Sequence, residues 1–252
     1  MENRKENCVG LVSVSFRGKT PEEIVGACKA ASLSVIEWGG DVHVPHGDEE
    51  TARKVRDITE KEGLCVAEYG SYYHVGGGDE DLFEKVLRSA NALCTDCIRV
   101  WPGKNIPSAE YPKGDYDDAV RDARRIATMA KNKMIALECH PYSLTDDAAA
   151  AMRFLEDVGC ENVKMFWQPN QYRSEEYNVR AVKILLPYIV SVHTFAWSET
   201  ERFPLAHGEK AWRKYLDVLS ARPLSYLLEF MPDDRIESLP EEARTLRSWL
   251  NL

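Results

Sequence analysis

The chain has 252 residues, 44% of them hydrophobic and 29% charged, which is enough for one large buried core. A formal net charge of −9 argues against a nucleic-acid or anionic-membrane partner, because either needs a basic face to displace counterions. No apolar run is long enough to span a membrane, and the opening MENRKENCVG lacks the apolar centre of a signal peptide, so a cytosolic location is expected.

Short apolar runs rich in β-branched residues alternate with amphipathic, charge-bearing segments along the chain. The first run is VGLVSVSF from Val9. Thr20-Pro21-Glu22-Glu23 follows, with a capping hydroxyl, a proline at the first helical position and a glutamate at the third. SVIEW (from Ser34) and LCVAEY (from Leu64) come next, and Gly76-Gly77-Gly78 leads to a helix start at Asp79. CIRVW (from Cys97) and MIALE (from Met134) precede a start at Thr145, and VKMFWQ (from Val163) precedes one at Ser174. IVSVHTF (from Ile189) leads to a helix whose Trp212, Tyr215, Leu216 and Leu219 share one face. SYLLEF (from Ser225) is the last run, and Leu246, Trp249 and Leu250 close the chain.

Eight runs in 252 residues give about 31 residues per unit, the size of a βα repeat. Strict alternation implies parallel strands, because parallel neighbours need a helix to cross back. An open doubly wound sheet would show a Gly-rich phosphate turn after its first strand, and SFRGKTPEE has none. The expected fold is therefore a closed (β/α)₈ TIM barrel forming a single domain over residues 1–252. The seven cysteines, an odd number lying mostly in apolar stretches, read as reduced core residues. Cys94 and Cys97 form a lone C-x-x-C without a second pair.

Barrel chemistry sits at the C-terminal ends of the strands. The last four runs end in Glu138, Gln168, His193 and Glu229, one ligand-type residue per unit. Polar groups there are costly to bury unless paired or bound to a metal. Two carboxylates, an imidazole and an amide oxygen suit one divalent cation: Mn²⁺, Mg²⁺, Co²⁺ or Zn²⁺.

The segment VIEWGGDVHVPHGD, followed in order by LECHPYSLTD, WQPN, VHTFAW, FPLAHGEKAWRKYL and LLEF, resembles the xylose isomerase-like TIM-barrel family of sugar isomerases and epimerases. In the epimerase branch Glu, Asp, His and Glu hold the metal, and the matching positions here are Glu138, Gln168, His193 and Glu229, with Gln168 departing from the usual Asp. Asn170 is a candidate substitute ligand. The resemblance implies a metal-dependent isomerase or epimerase of a sugar or keto-polyol, with Glu138 and Glu229 as catalytic base and acid on the two faces of the reacting carbon. On this reading His43 and His140 hydrogen-bond substrate hydroxyls, Tyr69, Trp101 and Trp197 line its apolar faces, and Arg202 meets an anionic group. A homodimer is also implied.

Three other readings stay open. One is a lyase that dehydrates a keto-inositol-like compound after the same proton abstraction. Another is a non-catalytic sugar-binding barrel whose metal site has decayed at Gln168. The third, an apurinic-site nuclease, needs more metal-binding histidines and a basic track that this acidic chain lacks.

Overall fold

Strands and helices alternate as the apolar periodicity requires. In the computed structural model, which describes residues 6–252, the strands are β1 (Cys8–Val12), β2 (Val35–Gly39), β3 (Cys65–His74), β4 (Cys97–Trp101) and β5 (Met134–Glu138), continuing with β6 (Val163–Trp167) and β7 (Ile189–Thr194). A short antiparallel pair, β8 (Ala196–Trp197) and β9 (Arg202–Phe203), precedes β10 (Ser225–Leu228). The helices are α1 (Pro21–Ala30), α2 (Glu49–Lys61), α3 (Glu80–Ala92), α4 (Lys113–Met129), α5 (Ala148–Val158), α6 (Glu175–Leu185), α7 (Glu209–Leu219) and α8 (Leu239–Leu250). Residues 1–5, the first half of the opening segment, lie outside the described residues.

The eight long strands close into one parallel ring in the order β1-β10-β7-β6-β5-β4-β3-β2. Each strand is apolar on both faces because each face is covered. Val12, Val35, Ala67, Cys97, Ala136, Phe166 and Leu227 fill the lumen. The outward residues pack on the helices: Trp167 meets Trp212 and Tyr215 of α7 at ring separations of 6.1 and 5.4 Å. Trp38 donates its Nε1–H to Thr59 of α2 at 3.2 Å.

The caps follow the sequence signals, with one exception. Thr20 and Glu23 form a reciprocal capping box on α1, and Asp79 and Ser174 cap α3 and α6. The cap of α5 is Asp147, not Thr145, whose hydroxyl is buried and donates instead to the Glu138 carbonyl. The first run is also shorter than expected. After Val12 the chain coils into a 3₁₀ turn over Ser13–Phe16, because the Ser13 and Ser15 hydroxyls accept the backbone N–H groups of Gly39 and Phe230. All seven cysteines are free; Cys94 is exposed and Cys97 is packed inside the barrel. Among the described residues no helix is long and apolar enough to cross a membrane.

Candidate metal centre

Alternation along the strands decides which side chains reach the lumen. Trp38 and Trp167 point out to the helices, so Glu37 points in and Gln168, just past β6, turns inward. Glu138 ends β5, His193 sits near the end of β7, and Glu229 follows β10. β5 and β10 lie three places apart in the eight-strand ring, so Glu138 and Glu229 approach His193 from different walls.

One oxygen from each carboxylate and one nitrogen of His193 lie within 4.8 Å of one another, all in buried residues. His193 Nδ1 is 2.8 Å from Gln168 Oε1, 3.5 Å from Glu229 Oε2 and 3.7 Å from Glu138 Oε1. Ligand atoms each about 2.1 Å from one ion sit about 3 to 3.5 Å apart, so this donor set needs little adjustment to hold a divalent cation. The residues present fit the group that the donor chemistry implies. On the far side of the ring, His193 Nε2 lies 3.1 Å from Glu37 Oε2. Arg99, 2% exposed, donates to Glu37 at 2.8 Å and forms a second ion pair with Glu138.

The charges are unequally placed. Burial opposes ionisation of Glu37, but the Arg99 guanidinium and His193 outweigh it and hold the carboxyl down at about 2. Burial pushes the Glu229 carboxyl up to about 7 against the pull of His193, and the Glu138 charge adds to the push. For His193 burial disfavours the cation, yet Glu229, Glu37 and Glu138 together raise its pKa. The two His193 ring nitrogens thus face Glu37 Oε2 on one side and Gln168 Oε1 on the other.

Several expected substrate contacts stand at the mouth. The Trp101 ring packs 4.3 Å from that of His140, whose Nδ1–H is given to the Pro141 carbonyl at 2.8 Å. Trp197, on β8, stacks on Phe195 at 3.9 Å and lies 5.9 Å from Phe230. Arg202 covers the Phe230 ring at 4.4 Å, but its charge is already paired with Asp234.

The structure places other candidates elsewhere. Tyr69 is fully buried on the helix side of β3, its hydroxyl donating to Val44 O at 2.8 Å and meeting His46 Nδ1 at 2.7 Å. His43 has both nitrogens engaged, by Ser13 Oγ at 3.0 Å and Lys19 O at 3.2 Å, and burial lowers its pKa. It ties the first turn to the loop after β2 instead of facing the lumen. Asn170 shapes its own loop, its side chain accepting from the Tyr172 N–H and its amide reaching Asp146 O. It does not stand in for Gln168.

A family profile described as the xylose isomerase-like TIM barrel matches residues 25–251, nearly the whole chain. The chain belongs to that family. Among solved structures, xylose isomerase-like folds superpose over nearly their full length. One described as the probable 3-DHS dehydratase AsbF of Bacillus anthracis, involved in petrobactin synthesis, is 19% identical with a TM-score of 0.81, covering 95% of this chain and 98% of that one. D-Psicose 3-epimerase of Clostridium cellulolyticum H10, solved with D-tagatose, is 12% identical with a TM-score of 0.69, covering 97% and 98%. A xylose isomerase-like TIM barrel protein of Mycobacterium smegmatis, in complex with magnesium, is 13% identical with a TM-score of 0.73, covering 96% of each chain. At these identities the likeness establishes the fold. A comparison with curated proteins returns no match.

Within this xylose isomerase-like barrel, the strand-end pattern of the sequence marks Glu37 and Arg99 without giving either a role in the site, and it passes over Tyr72. The signal for the first two was present: a glutamate inside VIEWG and an arginine inside CIRVW are charges in otherwise apolar strands, and such charges need partners. Tyr72 carries no such signal. It takes a left-handed φ of 54° where β3 loses register with β4, and this turn stacks its ring against Trp101.

Proposed function

We propose that this barrel is a metal-dependent isomerase or epimerase of a sugar or keto-polyol, working by proton transfer at the carbon next to a carbonyl. The observation that carries the reading is the convergence of Glu138, His193 and Glu229 on one point in the lumen, with the Gln168 oxygen beside them. A divalent cation held there would polarise the substrate carbonyl and acidify the neighbouring C–H.

The two carboxylates have the unlike surroundings that paired acid–base work requires. Glu138 is fixed by the Arg99 guanidinium, while among the described residues Glu229 pairs with His193 and its carboxyl is pushed up by burial. Glu138 accordingly accepts the proton from one face of the carbon, and Glu229, ionised when the cation binds, takes up a proton from solvent and delivers it to the other. The rings of Trp101 and Trp197 offer flat apolar faces to the C–H side of the substrate, and His140 offers Nε2 to a hydroxyl, its Nδ1–H being committed to Pro141.

A dehydratase is the second reading. His140, two residues beyond Glu138, supplies a third proton-transfer group that a departing hydroxyl would use, and the similar Bacillus anthracis barrel is named as a dehydratase.

The reading is tested by incubating metal-loaded protein with a panel of ketoses and keto-polyols in D₂O and following the substrates by NMR. Deuterium is expected at the carbon beside the carbonyl of at least one compound, and not with Glu138→Gln or Glu229→Gln. Loss of water with a new conjugated-carbonyl absorbance would favour the dehydratase. No exchange and no elimination by folded, metal-loaded protein would reject both.

A further inference from the structure

A histidine presents one ring nitrogen to a cation when the other nitrogen keeps its proton, so the group receiving that proton decides which nitrogen faces the metal. For His193 the receiver is Glu37. Its Oε2 lies 3.1 Å from His193 Nε2, while its Oε1 accepts the Arg99 Nε–H at 2.8 Å. β2 and β7 stand three places apart in the ring, so the contact crosses the lumen and does not join neighbouring strands. Glu37 and His193 are both 0% exposed. The room they use is kept clear by Gly70, where a Cβ would stand 2.4 Å from Glu37 Oε1 and 2.7 Å from Arg99 Nη2. The Tyr72 ring covers the guanidinium at 5.2 Å. A buried ion pair of this kind contributes little to stability compared with two apolar side chains, so a role beyond packing is called for.

We propose that Glu37 is a positioning residue for the metal centre: it accepts the Nε2–H of His193 so that the Nδ1 lone pair faces Glu138, Gln168 and Glu229, and Arg99 holds it there. The inference rests on reading the site as a metal centre. It also accounts for the amide at Gln168. Glu37, Glu138 and Glu229 carry three negative charges and Arg99 one positive charge, so with a neutral imidazole a single divalent cation brings the sum to zero. A further carboxylate at 168 would leave the closed site negative.

The test is Mn²⁺ titration calorimetry on chelator-stripped full-length protein and on the double variant Glu37→Met/Arg99→Met. That variant keeps the site's net charge and removes the partner of His193 Nε2, and because it also removes the Arg99 ion pair of Glu138, Arg99→Met alone is titrated beside it as the control for that loss. With the fold intact by circular dichroism, the double variant's Mn²⁺ affinity is expected to fall about 10- to 100-fold. An affinity within about threefold of the wild type would overturn the proposal, since a packing role leaves binding unmoved. ¹⁵N NMR of the zinc-loaded wild type reads the same point without a variant that must fold. The His193 ring, assigned by its absence in His193→Asn, should carry its proton on Nε2, and a proton on Nδ1 would overturn the proposal. If the wild type binds neither Mn²⁺ nor Zn²⁺, the metal centre itself is refuted and this inference falls with it; if it binds and the double variant binds equally well, only the role of Glu37 is lost.

Discussion

Glu37, Arg99, Glu138, His193 and Glu229 bring three carboxylates, a guanidinium and an imidazole out of water together, and each is held by another's charge. Removing protons from this set is what a cation must do to enter. His193, raised by its carboxylates, and Glu229, pushed up to about 7, both hold protons in the metal-free site to higher pH than they ordinarily would. Their protons compete with the metal, so affinity rises with pH until both groups are deprotonated and falls as pH drops below about 7. Mn²⁺ affinity should change about tenfold per pH unit for each proton displaced, measurable by calorimetry between pH 5.5 and 8 in buffers of differing ionisation enthalpy. A flat profile with no proton release would contradict this account of the site. At this scale the ligand types were legible, because Glu138, His193 and Glu229 are polar residues closing apolar runs. Their partners were harder to read. LCVAEY, like SVIEW, closes on a glutamate followed by an aromatic residue, and which one faces the lumen depends on ring closure and on the register shift between β2 and β3. Tyr69 turned outward for that reason.

The elements themselves were the most readable part. CIRVW and MIALE are strands over the very residues that the apolar runs mark, because a strand covered on both faces must be apolar throughout. Helix starts were legible where a cap side chain has no rival partner. Thr20 engages only its own first helical turn among the described residues, and its capping box with Glu23 forms. Thr145 has a rival, the Glu138 carbonyl, and the cap passes two residues on to Asp147. Thr20→Ala removes one side of the box and should cost about 1 kcal/mol in urea unfolding, with the metal content unchanged. A loss of metal in that variant would show α1 to be coupled to the site. Loops were the least legible. The histidine-bearing loop after β2 was expected to face the substrate, yet His43 bonds to Ser13 and the Lys19 carbonyl and braces the barrel's first turn.

For the whole molecule, closure is what turns a series of strand ends into a site. Residues separated by more than 150 positions, such as Glu37 and His193, meet only because the ring brings β2 and β7 to face each other. The count of βα units and the missing phosphate turn pointed to closure before any distance was known. The contact across the lumen had no counterpart in the sequence, because nothing local links the two strands. A cation bound at this point bridges β5, β7 and β10, so it should stabilise the barrel as a unit. At a free concentration 100 times Kd the gain is about 2.7 kcal/mol. For a chain of this size that raises Tm by about 5–10 °C on adding Mn²⁺ to chelator-treated protein. An unchanged Tm with saturating metal would indicate that the ion binds elsewhere or not at all.

The central claim is that Glu138, His193 and Glu229 together hold one divalent cation. It is tested most directly by elemental analysis of the protein purified without added metal or chelator and then incubated with Mn²⁺, beside a Glu138→Ala/Glu229→Ala variant treated identically. One ion per chain in the wild type and none in the variant is the predicted result. No ion in the wild type, or an equal amount in both, would contradict the claim.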